Sequence, residues 1–338
     1  MIPNSEAGDP DRTGREDDRL RWHARNRKSA RQRLAPGCNI AVIALPEGTH
    51  DPLFPSIEPG VGDPHRNLAV AAIAGRIGGD PAAVTEAYRP QLQMLQGILQ
   101  GCPKGAACNP DTAHSLFDIA SSISPGKSDH VAQLGTPLKL ASTITENFLL
   151  EYSEGMNASQ VGSGRVDLET LRALLQLHVA NEDLSGRTES IARAQASNLL
   201  YHLLQSVDQA ATGQTKTGAL TNTEDRLLIL CGHDTNLVSI AGALHLNWIV
   251  DGRKDDTPPG GALVFELWKM PGAGDFEVRT YYIAQTLDQM RYATPLSLAT
   301  PLLRLPVFIP GCGRADGSCT LTGFQKILDT AIDRDFVK

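Results

Sequence analysis

The chain has 338 residues, of which 41% are hydrophobic and 20% are charged, a composition sufficient for one large globular domain or two smaller ones. Its formal net charge of -7 argues against a nucleic-acid-binding protein, which would normally present a basic surface. No apolar run is long enough to cross a membrane, so no membrane partner is expected.

The N-terminal segment 1–24 is polar, rich in Arg and Asp, and shows no hydrophobic periodicity. We therefore predict that it is disordered or spurious, and it lacks the apolar stretch that a secretory signal requires. The apolar run at 39–45 predicts a short strand, and the proline-rich stretch at 46–66 predicts a loop.

The middle of the chain carries the periodicity of amphipathic helices. Asp80 and Pro81 are typical of a helix N-terminus, and the predicted helix bends at Pro90 and ends at Gly101. Further helices are predicted at 138–152, 168–179 and 188–207, followed by a loop at 208–225.

A different pattern begins at residue 226. The apolar run 226–231 predicts a buried strand that ends at Gly232, and a helix is predicted from near Asn236. The remaining predicted elements are a hairpin of strands at 262–268 and 276–283 and a helix at 321–332 with Thr320 as its N-cap.

The order of these elements indicates an α/β protein with an inserted helical region. Residues 25–79 and 208–338 are predicted to form the α/β core, and residues 80–207 a mainly helical insert. No internal repeat is visible.

Four of the six cysteines form two pairs that are close in sequence and lie in loop-like stretches, Cys102 with Cys108 and Cys312 with Cys319. Loops closed in this way predict local disulfides and an oxidising compartment. A zinc site is the alternative, but no His or further Cys stands at ligand spacing near either pair, so no metal is expected.

The turn between the predicted strand at 226–231 and the following helix carries His233 and Asp234. A helix N-terminus favours an anion such as phosphate, because its N–H groups and dipole present positive potential. His233 could donate to a phosphate oxygen, and Asp234 could act as a general acid towards a leaving alkoxide. The alternative interpretation is that Asp234 only caps the helix.

Several motifs, in order along the chain, resemble the histidine acid phosphatases, and in particular their bacterial phytase and glucose-1-phosphatase branch. The stretch 232–269, which begins Gly-His-Asp-Thr-Asn, is similar to the C-terminal signature of that family. The resemblance also takes in 34–38, 51–54, 285–298 and the loop that contains Cys312 and Cys319, and covers about residues 25–333.

This resemblance implies a histidine-phosphatase-like sheet flanked by helices with a helical insert. It implies a phosphomonoester hydrolase that works through a phosphohistidine without metal or other cofactor. Its partner would be a small phosphorylated molecule, such as a sugar phosphate or an inositol phosphate, and its location the periplasm or the cell exterior.

The resemblance also assigns roles to individual residues. His233 would contact the phosphate, Asp234 would be the proton donor, and Arg25 in the basic run 25–29 would also contact the phosphate. Glu146 would line the substrate pocket, although an exposed helical Glu is an equal alternative. Gln195 stands where a basic residue is expected, which argues against tight binding of a highly phosphorylated substrate.

Two more histidines need an interpretation. His178 follows an apolar run and is predicted to be a packed or capping residue. The family's Arg-His-Gly-x-Arg-x-Pro motif, whose His attacks phosphorus, does not occur in this sequence. The stretch 21–25 contains His23 between arginines but lacks the Gly and Pro of that motif, so His23 is not predicted to be the nucleophile.

The missing motif predicts an N-terminally truncated sheet without its first strand. Cys38, whose family counterpart pairs with an upstream Cys, would then lack its partner. The sequence therefore predicts a phosphatase that is impaired, and the alternative is a phosphate-binding or interaction remnant without catalysis.

Overall fold

The structure, a computed structural model, describes residues 45–46, 48–54, 57, 60–101, 115–128, 130–270 and 276–338. The chain divides into two units, Met1–Asp51 and Pro52–Lys338, and the second contains almost all described residues. Outside the described residues lie most of the predicted strand at 39–45 and the residues His23, Arg25, Cys38, Cys102 and Cys108.

The helices of the second unit, in chain order, are α1 (Arg66–Arg76), α2 (Ala82–Ala87), α3 (Arg89–Gln100), α4 (Pro137–Ser153), α5 (Leu168–Ser185), α6 (Glu189–Thr212), α7 (Asp234–Ala243), α8 (Leu287–Arg291) and α9 (Leu321–Ala331). Two short antiparallel pairs are β1 (Ser122–Pro125) with β2 (Ala132–Gly135) and β3 (Ile249–Val250) with β4 (Arg253–Lys254). The helices predicted at 138–152, 168–179, 188–207 and 321–332 are thus all present.

The helix predicted from Asp80 to Gly101 consists of two helices, α2 and α3, with a break at Tyr88. Asp80 caps the first of them, since its Oδ1 accepts from the N–H of Ala82 at 2.9 Å. The break follows from Pro90, which has no N–H to donate and whose ring would clash with the carbonyl four residues earlier.

Helix α1 is an element that the sequence did not delimit. Of its eleven residues only Ala69 and Ile73 are buried. Residues 68–74 are all apolar, so the helix shows no alternation of apolar and polar faces that would mark it in the sequence.

The main sheet is antiparallel and has β6 (Phe276–Ala284) at its centre. Along one edge of β6, every residue of β5 (Ala262–Lys269) is paired with it. The other edge pairs with β7 (Leu303–Pro306) near the end of β6 and with β8 (Ser318–Thr320) near its beginning. The predicted hairpin of strands is therefore confirmed.

The buried strand predicted at 226–231 is wrong. These residues pair with no strand in the part of the chain that the structure describes, and Leu227 and Ile229 are 74% and 48% exposed. An apolar run becomes a buried strand only when neighbouring strands supply hydrogen-bond partners, and no described segment does so here. The following helix begins at Asp234, two residues before the predicted start.

Two apolar clusters form the core, and α6 contributes to both. The first lies among helices α1 to α5 and includes Leu92 and Leu174, which are fully buried. The second lies between α6, α7, α9 and the sheet and includes Tyr282 and Phe324. The predicted loop at 208–225 begins only after α6 ends at Thr212, and the predicted domain boundaries stay a prediction.

The predicted disulfide between Cys312 and Cys319 is confirmed, with the two Cα atoms 5.2 Å apart. It closes the loop before β8, and Cys319 is buried in the second cluster. Replacing both cysteines by Ala should lower the free energy of unfolding by about 2–3 kcal/mol, because a closed loop of this size restricts the unfolded chain. Urea denaturation at pH 7 measures this loss.

Cys231 provides the matched control for this prediction, because it is free and exposed. Cys231→Ala should change the free energy of unfolding by less than about 0.5 kcal/mol. Equal losses in the two variants would show that the bridge does not stabilise the fold.

Candidate active site

The N-terminus of α7 presents His233 and Asp234 at the protein surface. His233 is the N-cap, and its backbone N–H donates to Oδ1 of Asn236 at 2.8 Å. Asp234 is the first residue of the helix, and its Oδ1 accepts from the N–H of Thr235 at 2.8 Å. His233 is exposed and Asp234 half-buried, so neither side chain is packed into the interior.

Asn236 and Gly232 fasten this helix start to the segment before α1. The side-chain amide of Asn236 donates to the carbonyl of Phe54 at 3.2 Å. A Cβ atom on Gly232 would lie 2.6 Å from Oδ1 of Asn236 and 2.9 Å from the ring of Phe54. Only glycine allows this close approach, so the Gly-His-Asp turn is held in place by its neighbours.

A side-chain hydrogen bond connects α6 to α7 near the site. The hydroxyl of Ser239 lies 2.7 Å from the carbonyl of Thr235 and 2.9 Å from Oε1 of Gln195. Gln195, where the family resemblance leads us to expect a basic residue, therefore contributes a neutral amide to the contact between the two helices.

A helix crossing brings Glu182 close to Asp234. Gly186 directly follows α5, and a Cβ atom there would lie 2.6 Å from Cγ1 of Val238 on α7. Glu182 stands one turn before Gly186, and Asp234 stands one turn before Val238. The close contact at Gly186 brings α5 against α7, and Asp234 lies near enough to Glu182 to raise the pKa of that carboxyl.

Glu146 on α4 and His178 on α5 complete this group. His178 is buried, and its Nδ1 lies 3.1 Å from the hydroxyl of Ser142, as the packed interpretation predicts. Glu146 stands one turn beyond Ser142 on α4 and is half-buried. The structure thus brings Glu146 and Asp234 into one neighbourhood and adds Glu182, which the sequence analysis missed.

The pKa values of Glu182 and Glu146 are both raised above the usual range of a glutamate. Burial is the largest cause that raises the pKa of Glu182; His178 acts in the opposite direction, and the carboxylate of Asp234 raises it further. Burial is also the largest cause that raises the pKa of Glu146; His178 acts in the opposite direction, and Asp234 raises it further. A carboxyl whose pKa is higher in the folded than in the unfolded protein stabilises the fold in acid. The contribution of Glu182 and Glu146 to the free energy of unfolding is therefore lost as the pH rises through their raised pKa values.

A separate pocket of about 430 Å³ lies at the other end of α7, next to Gly242. Its two arginines are engaged in ion pairs, since Arg76 lies 2.5 Å and Arg187 3.7 Å from Asp183. Because these cations already have acidic partners, the pocket is less suited to phosphate than the start of α7.

Two kinds of feature are absent from the described ranges, a metal site and a membrane-spanning helix. No group of three or more His, Cys, Asp or Glu residues within them is arranged to hold a metal ion. No helix within them has the length and apolar character needed to cross a membrane.

Known proteins resemble this chain over most of its length. Residues 116–283 match the family described as the histidine phosphatase superfamily, branch 2. The chain is 35% identical over 306 residues to phytase AppA of Escherichia coli, covering 88% of this chain and 69% of that protein. It is 28% identical over 305 residues to a glucose-1-phosphatase of Providencia rettgeri, covering 88% and 69% of the two chains.

Solved phytase structures share the fold. The phytase from Citrobacter braakii superimposes with a TM-score of 0.78 at 31% identity, covering 90% of this chain and 75% of that one. Hafnia alvei phytase in complex with myo-inositol hexakis sulphate gives a TM-score of 0.79 at 29% identity, covering 91% and 75%. The predicted α/β fold of the phosphatase type is confirmed.

Proposed function

Because the chain belongs to branch 2 of the histidine phosphatase superfamily, we propose that His233 and Asp234 form the phosphate-binding and proton-donating part of a phosphomonoester site. The observation that carries this proposal is their position at the N-terminus of α7, where both side chains reach the surface. Backbone N–H groups and the helix dipole favour an anion there.

In this proposal His233 donates a hydrogen bond to a phosphate oxygen, and the protonated carboxyl of Asp234 stands towards the leaving oxygen. When a nucleophile, water where no histidine serves, bonds to phosphorus and the P–O bond breaks, Asp234 transfers its proton to the departing alkoxide, which leaves as a neutral alcohol while the nucleophile keeps the phosphoryl group. Asn236 and Gly232 keep the two groups in position through their contacts with Phe54.

The covalent step of the family needs a histidine nucleophile clamped between arginines. This sequence contains no Arg-His-Gly-x-Arg-x-Pro stretch that could supply one. We therefore propose that phosphate binding is retained and that hydrolysis is strongly impaired. The second candidate function is a phosphate-binding protein without catalysis, which the same missing motif favours.

We further propose that the protein works on, or binds, small phosphorylated molecules in the periplasm or outside the cell. Proteins similar to it are named as phytases and glucose-1-phosphatases. The disulfide between Cys312 and Cys319 supports an oxidising compartment, because such bridges persist where thiols are not kept reduced. Glu146 and, by resemblance alone, Arg25 are the proposed substrate contacts.

Phosphate binding tests the proposal directly. His233→Ala should weaken the binding of inorganic phosphate by about ten-fold or more, because a charge-assisted hydrogen bond is lost. Isothermal titration calorimetry at pH 6 measures the affinity for the wild-type protein and the variant.

The matched control is His245→Asn at the far end of α7. His245 is exposed and has a left-handed backbone with φ 55°, which Asn tolerates well. This variant should bind phosphate like the wild-type protein. No binding by the wild-type protein, or equal binding by the wild-type protein and His233→Ala, would disprove the proposed site.

A further inference from the structure

The pocket next to Gly242 is a cavity that the proposed phosphate site does not use. Its volume is about 430 Å³, and the helices α1, α5, α6 and α7 all contribute residues to its lining. Asp234 is the first residue of α7 and Gly242 lies near its last turn, so the two are separated by roughly 12 Å along the helix axis. A ligand in this pocket would therefore occupy a second site.

Two buried polar atoms of the residues that line this pocket have no hydrogen-bond partner among the described residues. They are Nη1 of Arg187 and the hydroxyl of Ser190. The side chain of Arg187 is only 8% exposed, and its Nη2 already donates to Oδ1 of Asn247 at 3.1 Å. A buried polar group without a partner is unfavourable, so a ligand with an acceptor oxygen would stabilise both atoms.

The N-terminus of α6 adds to the preference for an acceptor, because Thr188, Glu189 and Ser190 also line the pocket. Thr188 is the N-cap, but its hydroxyl donates to the carbonyl of Leu184 at 2.7 Å and makes no cap hydrogen bond. The first N–H groups of α6 therefore receive no side-chain cap from Thr188. The dipole of this 24-residue helix gives the same end a positive potential, which favours a carboxylate.

The charges of the pocket limit what else such a ligand can carry. The formal charges of its two arginines, Arg76 and Arg187, and its two acidic residues, Asp183 and Glu189, sum to zero. Burial lowers the pKa of Arg187 although Asp255 and Asp183 act in the opposite direction, so these acids do not fully offset the cost of burying its charge. A second negative charge on the ligand would be repelled by the acidic residues, whereas an ammonium group would be attracted to them.

We propose that this pocket binds a free α-amino acid. Its carboxylate would bond to Arg187, Ser190 and the start of α6, and its ammonium group would lie towards Asp183 and Glu189. Such a ligand carries one charge of each sign, as the pocket requires, and the cavity is large enough for a side chain as well. The inference does not depend on phosphate binding or on hydrolysis, because the site shares no residue with the start of α7.

Thermal unfolding of the full chain with each of the twenty standard L-amino acids tests the proposal. At about 10 mM and pH 7.5, at least one of them should raise the Tm by about 2 °C or more, because a ligand that binds only the folded state stabilises it. Isothermal titration calorimetry then measures the affinity for that amino acid. Acetate and methylammonium, which each carry only one of the two charged groups, should bind about ten-fold more weakly or worse.

Two variants locate the binding site. Ala72→Leu should weaken binding of that amino acid by about ten-fold or more, since Ala72 lines the pocket and the larger side chain fills it. Ala71→Leu is the matched control, because Ala71 is exposed on the same helix and does not line the pocket; it should change the affinity by less than about two-fold. Ser190→Ala should weaken binding by about five-fold, because one hydrogen bond to the carboxylate is lost.

Three results would contradict the inference. If none of the twenty amino acids stabilises the protein, the pocket does not bind this class of ligand. If an amino acid binds but neither Ala72→Leu nor Ser190→Ala changes its affinity, it binds elsewhere on the chain. If acetate binds as tightly as the amino acid, the acidic side of the pocket does not recognise an ammonium group.

Discussion

Purified protein is expected to release phosphate from p-nitrophenyl phosphate at least about a thousand-fold more slowly than a family member with the Arg-His-Gly-x-Arg-x-Pro motif, because our proposal gives it no catalytic nucleophile, the group that supplies most of the rate enhancement. Phytase AppA of Escherichia coli, to which the chain is 35% identical, is a suitable reference enzyme. The physical reason is that Asp234 can protonate a leaving group only after something attacks phosphorus. A discontinuous assay of free phosphate at pH 5 measures both rates.

Two variants make this prediction decisive. Asp234→Asn should leave the low rate unchanged, since under our proposal the attack on phosphorus, and not proton donation, limits the reaction. A substantial rate that Asp234→Asn abolishes would show that a nucleophile is present elsewhere in the chain. The rate of His23→Ala would then show whether His23, which lies outside the described residues, is that nucleophile.

Arg253→Met is expected to lower the free energy of unfolding by about 3–5 kcal/mol, because it leaves a buried carboxylate without its partner. The side chains of Arg253 and Asp256 are only 5% and 1% exposed. Nε of Arg253 donates to Oδ2 of Asp256 at 2.6 Å, and Nη1 donates to Oδ2 of Asp251 at 2.8 Å. Urea denaturation followed by circular dichroism measures the change.

The exposed ion pair between Arg89 and Glu86 is the control for this prediction. Arg89→Met should cost less than about 1 kcal/mol, since solvent screens the pair. In the double variant Arg253→Met with Asp256→Asn, part of the loss should return because the uncompensated charge is gone. Similar losses for Arg253→Met and Arg89→Met would mean that burial of the Arg253 pair adds nothing to stability.

The region around Arg253 also supports the sheet that packs on α7. The indole of Trp248 donates to the carbonyl of Asp256 at 2.9 Å, and its ring stacks on Tyr282 with the ring centres 4.3 Å apart. Tyr282 belongs to the central strand β6 and is fully buried. Loss of the Arg253 pair should therefore loosen the support of α7 as well as reduce overall stability.

The sequence by itself was enough for features that depend on residues close together in the chain. The helix after the Gly-His-Asp turn, the hairpin of β5 and β6, the cap at Thr320 and the Cys312–Cys319 bridge all follow from short-range patterns, although the first of these helices starts two residues earlier than predicted. Capping, alternation and loop closure act over a few residues, so their signals are complete within a short window.

The position of Glu182 was decided only by tertiary structure. Glu182 and Asp234 are far apart in sequence, and Asp234 raises the pKa of Glu182 only because α5 packs against α7, with Gly186 against Val238. The four-residue spacing of His178, Glu182 and Gly186 was a signal in the sequence, but it could not say which helix would pack on that side.

Whether the apolar run 226–231 forms a strand likewise depended on long-range structure. Its composition favours a strand, but strand pairing needs neighbours from distant parts of the chain, and the described residues provide none. Local sequence thus determined most of the helices and the turn that carries the His233–Asp234 pair, but not α1. Tertiary contacts decided which of these elements meet, because packing and pairing energies depend on partners that no local pattern specifies.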